Sequence, residues 1–310
     1  MSLDQDTLHQ LLETIRRFVR NRLMPLEEQV ASTDQIPESV ISEMRELGLF
    51  GLTIPEEYGG LGLNTEEECK VAIELGYTSA AFRSVIGTNN GIGSQGLVMD
   101  GTDDQKENYL PRLASGEIIG SFALTEPNVG SDSANVQTKA EKDGDSYILN
   151  GTKRWITNAN IANLFTVFAR TDQSQKGSSG VSAFLVDANT PGISLSSKYK
   201  KMGQQGAHVC DVIFDNCRVP EVNIIGGPNN VNNGFKTAMK TLDRGRIHIS
   251  AFAVGCAKRL IEVSTQFSLE REQFGQSISN FQMIQAMLAE SQTECYAAET
   301  MVFDAAQRRD

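Results

Sequence analysis

No run of apolar residues in this chain approaches the ~20 that a helix needs to cross a bilayer, so no membrane span is expected. The amino terminus, Met1-Ser2-Leu3-Asp4-Gln5-Asp6, lacks the basic and apolar stretches of a secretory signal, and no targeting segment is seen. Positive charge is scarce: 28 Lys and Arg stand against 39 Asp and Glu, a net charge of −11. A phosphate backbone or an anionic lipid surface calls for a basic face, so neither nucleic acid nor membrane insertion is expected. The 5 cysteines, at 69, 210, 217, 256 and 295, are odd in number, widely spaced and free of any C-x-x-C. They read as reduced thiols of a cytosol-like compartment rather than a disulfide framework. Only 3 histidines are present. His208 lies near Cys210 and Cys217, but that spacing fits no standard zinc pattern, and no metal site is expected. No internal repeat is evident.

A length of 310 residues suggests roughly two domains at about 150 residues each. The first third has helical periodicity: Leu8, Leu11, Leu12, Ile15 and Val19, then a helix opened by Ile36-Pro37 with Val40, Met44 and Leu47 on one side and Gly48 at its end. Helical segments resume from about Thr65 to Ala114. The middle shifts to strand composition over 152–157, 164–169, 181–186 and 209–214. Asp143-Gly144 and Asn150-Gly151 read as two hairpin turns, and Thr171 to Gly180 as an exposed loop between strands. After the glycine- and asparagine-rich stretch 226–234, helix returns. Ile247, Ala251, Val254 and Ile261 mark one apolar face; Ile284, Leu288, Cys295, Ala298 and Val302 mark another. The class is therefore α+β, multidomain: an N-terminal helical domain (1–118), a middle antiparallel, barrel-like β-domain (119–228) and helices from 229 to 310.

Two segments carry the chemistry. Leu124-Thr125-Glu126-Pro127-Asn128-Val129-Gly130-Ser131-Asp132 is a turn-forming loop that ends the apolar run from Ile118. Its hydroxyls, backbone N–H groups and permissive Gly suit the polar edge of a ring or a diphosphate. Lys153-Arg154-Trp155-Ile156-Thr157-Asn158 sets the only Trp of the chain beside a Thr: a flat apolar surface next to a donor that can reach a ring nitrogen. Glu126 and Asp132 read as loop-capping carboxylates. Gly91-Ile92-Gly93-Ser94-Gln95-Gly96 matches G-x-G-x-x-G, but it lies in helical sequence and starts no βαβ unit, so small-residue helix packing is the better account.

The pair of segments, in this order and spacing, resembles the flavin-binding signature of the acyl-CoA dehydrogenase family, and the resemblance covers nearly the whole chain. It implies FAD-dependent α,β-dehydrogenation of an acyl-CoA thioester to the trans-2-enoyl-CoA in fatty acid metabolism, with electrons passed to an electron-transfer flavoprotein. An acyl-CoA oxidase, or a catalytically silent flavin- or acyl-CoA-binding relative, are the alternatives. It places Phe122, Leu124, Thr125, Gly130 and Ser131 at the flavin edge, Trp155 over the ring, Ile156 beside it and Thr157 towards N5. Arg271, Gln273, Phe274, Phe281 and Gln282 resemble the segment that reaches a flavin held mainly by a neighbouring subunit, which implies a homotetramer or homodimer. Ser131, Asp243 and Arg246, the last two a D-x-x-R segment, are the implied acyl-CoA contacts. The implied compartment is the cytoplasm of a bacterium or the mitochondrial matrix of a eukaryote. The family's catalytic Glu stands in a Y-E-G-T type of segment that this chain lacks, and Gly245 occupies the alternative position for a base. The chain thus reads as C-terminally truncated, with an incomplete helical bundle, no base and no useful turnover of its own.

Overall fold

The structure, a computed structural model, describes residues 3–310. Seven helices come first: α1 (Gln5–Phe18), α2 (Glu27–Thr33), α3 (Glu38–Glu46), α4 (Thr65–Leu75), α5 (Ala80–Thr88), α6 (Gln95–Asp100) and α7 (Asp103–Ala114). Seven strands follow: β1 (Gly120–Ala123), β2 (Lys139–Asp143), β3 (Ser146–Thr157), β4 (Leu164–Arg170), β5 (Val181–Asp187), β6 (Ile193–Leu195) and β7 (Val209–Pro220). The chain ends with α8 (Gly234–Glu270), a small hairpin of β8 (Glu272–Gln273) and β9 (Gln276–Ser277), and α9 (Gln282–Arg309). A helical N-terminal domain, a middle β-domain and C-terminal helices are thus present in the expected order. Among the described residues no helix is long and apolar enough to cross a membrane.

By contacts the chain forms two compact units. The larger, residues 29–62 and 81–245, holds the sheet, in the order β1-β4-β2-β3-β7-β6 with β5 also on β4. Most pairs are antiparallel; β1 and β2 each run parallel to β4. Strand β4 is buried along its whole length, and its side chains alternate between two cores, as a two-residue period dictates. Phe165, Val167 and Ala169 join a core with Leu149, Val212 and Phe214. Leu164 and Phe168 join a second core with Leu97, Leu110 and Leu113 from the helices of this unit.

The G-x-G-x-x-G match lies where α5 runs into an irregular π-type turn. A Cβ on Gly93 would come within 2.9 Å of Gly120, and one on Gly96 within 3.1 Å of Thr237. Close packing accounts for Gly93 and Gly96; a Cβ on Gly91 would meet nothing, and that glycine instead marks the kink, at φ −90° and ψ −109°. Fully buried Asn89 fixes the junction: it donates to the carbonyls of Phe50 and Leu113 and accepts from Gly120 N at 2.8 Å.

Asp143-Gly144 is a hairpin turn, with Gly144 at φ +63°. Asn150-Gly151 is not. It lies inside β3, where the register against β7 slips between Leu149 and Gly151. A Cβ on Gly151 would sit 2.5 Å from Thr138 Oγ1, so this glycine serves a bulge and a close approach.

The smaller unit, described over residues 3–28, 63–80 and 246–310, is helical apart from the β8–β9 hairpin. Helix α4 starts at an Asn64 capping box. The Asp310 carboxylate also accepts from Thr65 N at 2.8 Å. Helices α4 and α8 meet backbone to backbone: a Cβ on Gly255 would be 2.1 Å from Ile73 O, and one on Gly76 2.4 Å from Phe252 O. Glu27 takes a bidentate hydrogen bond from Arg259, and buried Glu68 and His248 approach to 2.9 Å. In α9 the expected apolar face is only partly used. Cys295, Val302 and Ala306 are buried, Ile284 and Leu288 are half-buried, and Ala298 is exposed. The C-terminal half of α9 is the part tied to α4, through Gln307, Arg309 and Asp310, and burial follows that contact.

Candidate functional site

The loop at 124–132 begins where β1 ends. Glu126 and Val129 exchange backbone hydrogen bonds, N to O at 2.9 and 3.1 Å, so Glu126-Pro127-Asn128-Val129 is a tight turn with Pro at its second position. The turn is lashed to β3 by three bonds. Arg154 N donates to Thr125 O at 2.8 Å, Lys153 Nζ to Leu124 O at 3.2 Å, and Lys153 Nζ to Glu126 Oε1 at 2.7 Å. Ser121 Oγ adds a fourth, to Thr157 O at 2.7 Å. The two segments singled out in the sequence are therefore neighbours, joined by one backbone bond and by the Lys153 side chain.

Lys153 and Glu126 form the structural centre of this arrangement. Lys153 is 0% and Glu126 4% exposed. Glu126 also accepts from Gln137 N at 2.7 Å, Thr138 N at 2.8 Å and Thr138 Oγ1 at 2.5 Å. Burial alone would raise its pKa, but the Lys153 charge and these donors outweigh that and hold it below the usual carboxylate range. Burial pulls the Lys153 ammonium down to about 8, against the opposing pull of Glu126. With these partners Glu126 caps the loop.

Trp155 is the anomaly of the site. It is 61% exposed, and its backbone is left-handed at φ +57°. A bulky residue there carries about 1–3 kcal/mol of strain that the surroundings must impose. Its N–H donates to Asp211 Oδ1 at 3.3 Å, and Arg154 and the Tyr199 hydroxyl donate to the same carboxylate. The hydroxyls of Thr125, Ser131 and Thr157 make no hydrogen bond among the described residues, so they are available to a ligand. Gly130 does not use a left-handed backbone. A Cβ there would meet nothing, and the glycine instead leaves the loop surface open.

The remaining residues divide plainly. Leu124 and Ile156 send their side chains into the two cores, so only their backbones face outward from the site. Phe122 is half-buried against Phe168, ring centroids 4.9 Å apart. Asp243 and Arg246 sit one helical turn apart on α8, both exposed. In the smaller unit, Phe274-Gly275 forms the two-residue turn of β8–β9 with both residues at positive φ, +54° and +77°. This type I′ geometry displays Phe274 at 94% exposure, edge-on to Phe281. Arg271, Gln273 and Gln282 are exposed on or beside that hairpin. His208 contacts Asp34 and Asn160 rather than either cysteine. Cys217 is buried, which pushes its thiol up to about 11.

The sequence reading missed the Lys153–Glu126 pair, the Asp211 carboxylate and Arg170. Buried Arg170 directs all its donors to backbone carbonyls: Val136, Ala134, Gln175, Gly177 and Ser179, at 2.8–3.2 Å. No local pattern signals partners so distant; Lys153 and Glu126 stand 27 positions apart.

Three domains of one family match in succession: the acyl-CoA dehydrogenase N-terminal domain at residues 5–117, the middle domain at 121–217 and the C-terminal domain at 232–310. The chain belongs to the acyl-CoA dehydrogenase family. A probable acyl-CoA dehydrogenase of Bacillus subtilis is 40% identical over 298 residues, 96% of this chain and 78% of that protein. A structure described as an electron transferring flavoprotein of Acidaminococcus fermentans superposes with a TM-score of 0.93 at 37% identity, over 100% of this chain and 80% of its own. An acyl-CoA dehydrogenase from Bacillus anthracis, complexed with FAD, gives 0.88 at 34% identity, over 96% of this chain and 50% of its own. In this chain, then, the family's middle domain contains both the loop at 124–132 and the Trp155 strand.

Proposed function

We propose that this chain binds FAD on the 124–132 loop and the 153–157 strand. With that cofactor, and with a base from outside these 310 residues, it removes hydrogens from Cα and Cβ of an acyl-CoA thioester, giving the trans-2-enoyl-CoA. The observation that carries the reading is the bond from Arg154 N to Thr125 O, with Lys153 behind it. These bonds set the loop's unengaged hydroxyls and an exposed indole on adjacent, rigid backbone. The residues fit the cofactor. Thr125 and Ser131 offer donors to its polar edge, Trp155 a flat face, and Thr157 a hydroxyl for a ring nitrogen. FAD, when bound, supplies the acceptor for the β-hydrogen as hydride. Asp243 and Arg246 are the charged groups for the CoA portion, with Ser131 between cofactor and substrate. The match to a structure described as an electron transferring flavoprotein supports a protein of that class as electron acceptor. Arg271, Gln273, Phe274, Phe281 and Gln282 complete a flavin site on another copy, so a homodimer or homotetramer is the working assembly.

The α-proton needs a base, and neither position implied by the resemblance supplies one: no Y-E-G-T type segment stands in these residues, and Gly245 has no side chain; Glu126 is fully engaged in the loop. A positioned general base typically contributes about 10²–10⁴-fold. The 310 residues alone should therefore take up FAD at micromolar concentration, with quenching of Trp155 emission, yet bleach only slowly when mixed anaerobically with saturated acyl-CoA thioesters. Absence of FAD uptake by folded protein would remove the cofactor reading. Fast, substrate-dependent bleaching would show that a base is present among these residues.

A further inference from the structure

Strand β3 carries one residue too many where it passes β7. Lys153 faces Val212 and Ile156 faces Cys210, so Arg154 and Trp155 together face only Asp211. This is a β-bulge, and its extra N–H has no partner in the ladder. The Asp211 carboxylate fills that gap. Its Oδ1 accepts from Trp155 N at 3.3 Å, its Oδ2 from Arg154 Nε and Nη2 at 3.3 Å, and the Tyr199 hydroxyl lies 3.0 Å from both oxygens. The carboxylate is itself fixed. Asp211 is 7% exposed, its N–H donates to Ser196 Oγ at 2.9 Å, and Ser196 N donates to Asp211 O at 3.1 Å.

A buried, five-point anchor thus holds a residue whose own side chain is mostly in solvent. An indole at 61% exposure contributes little packing to the fold, so packing does not explain why its backbone is left-handed. Strain maintained around an exposed aromatic points to a ligand that the ring must meet in a preset orientation. We propose that Asp211, assisted by Tyr199 and Arg154, is a positioning residue that holds Trp155 in the left-handed conformation and so presets the indole for the flavin. The inference rests on the FAD reading given above. Its first half, the hold on Trp155, concerns this chain alone.

Because Trp155 is the only tryptophan, its emission reports the clamp directly in the full 310-residue chain before any flavin is added. In Asp211→Ala, the anisotropy of Trp155 emission should fall and acrylamide quenching should rise. The dissociation constant for FAD should increase about tenfold, while thermal unfolding stays cooperative. Asp211→Asn keeps an oxygen to accept from Trp155 N and should restore most of both signals, which a general loss of stability would not predict. Tyr199→Phe removes one donor and should give a smaller loss in the same direction; it also decides the matter if Asp211→Ala fails to fold. Unchanged anisotropy in folded Asp211→Ala, or in Tyr199→Phe should Asp211→Ala not fold, would overturn the clamp. A clamp that loosens with FAD affinity unaltered would overturn its link to the flavin. Wild-type protein that binds no FAD would overturn the cofactor reading, and the anisotropy of the flavin-free protein would still decide the clamp.

Discussion

The two groups of residues assigned to the flavin are built on opposite plans. The loop at 124–132 and the strand at 153–157 are held from behind by buried groups: Lys153, Glu126, Thr138 and Asp211. Their geometry is complete within one unit of one chain. The hairpin at 271–282 has only local support, a type I′ turn, a Phe274–Phe281 ring contact and bonds such as Ile278 N to Arg271 O. Its functional side chains stand in solvent. The first region is preorganised by the fold; the second is shaped by its turn and by contacts within a few residues of it. Substitutions in the first region should therefore register in folding, and those in the second in cofactor retention.

The largest expected effect is Lys153→Met. It leaves the Glu126 carboxylate buried with no cationic partner, and breaking a buried pair from one side costs about 3–5 kcal/mol. Chemical unfolding should show that loss, and adding Glu126→Gln should recover much of it. No recovery in the double variant would mean that the pair is not what organises the loop.

Arg271→Ala should do the reverse. Unfolding should be unaffected, while FAD binding weakens by about 1.5–3 kcal/mol for a lost charge-assisted contact. Titration with FAD at concentrations where the wild type is oligomeric measures it. An unchanged affinity would erase the contrast drawn here, because the hairpin would then have no part in the site.

The remaining expected effect is a pH dependence. With its folded pKa near 8 and an ordinary value of 10.5, Lys153 sheds its proton in the native state before the unfolded state does. Between those values the unfolded chain binds more protons, so this group adds stability as pH rises. The stability gap between wild type and Lys153→Met should accordingly widen from pH 8 to 10.5 in unfolding titrations. A gap that narrows over that range would contradict the assignment.

The order of helices, β-domain and helices was legible because apolar periodicity is a local signal, and the two site segments stood out through unusual local composition. What stayed hidden depends on partners far away in sequence. Asn150-Gly151 has the composition of a hairpin turn, yet only the approach of Thr138 explains why a glycine stands there. Phe274-Gly275 was not legible as a type I′ turn, since an aromatic at positive φ is uncommon. Lys153 is a lysine in a strand until Glu126, from another turn, is seen to close on it.

Arg170 bears on a different property, the susceptibility of the chain to cleavage. Thr171 to Gly180, rich in Ser and Gly between two strands, has the composition of a preferred nick site. A protease must draw a segment of backbone into an extended form to cut it. The guanidinium of Arg170 holds the carbonyls of Gln175, Gly177 and Ser179 from inside the loop, and Thr171 N donates to Gly180 O across its neck. Opening the loop for a protease means breaking those bonds together and leaving a buried charge with only the Val136 and Ala134 carbonyls as acceptors. One inward-facing arginine thereby ties three carbonyls of a long, exposed loop to the body of the unit.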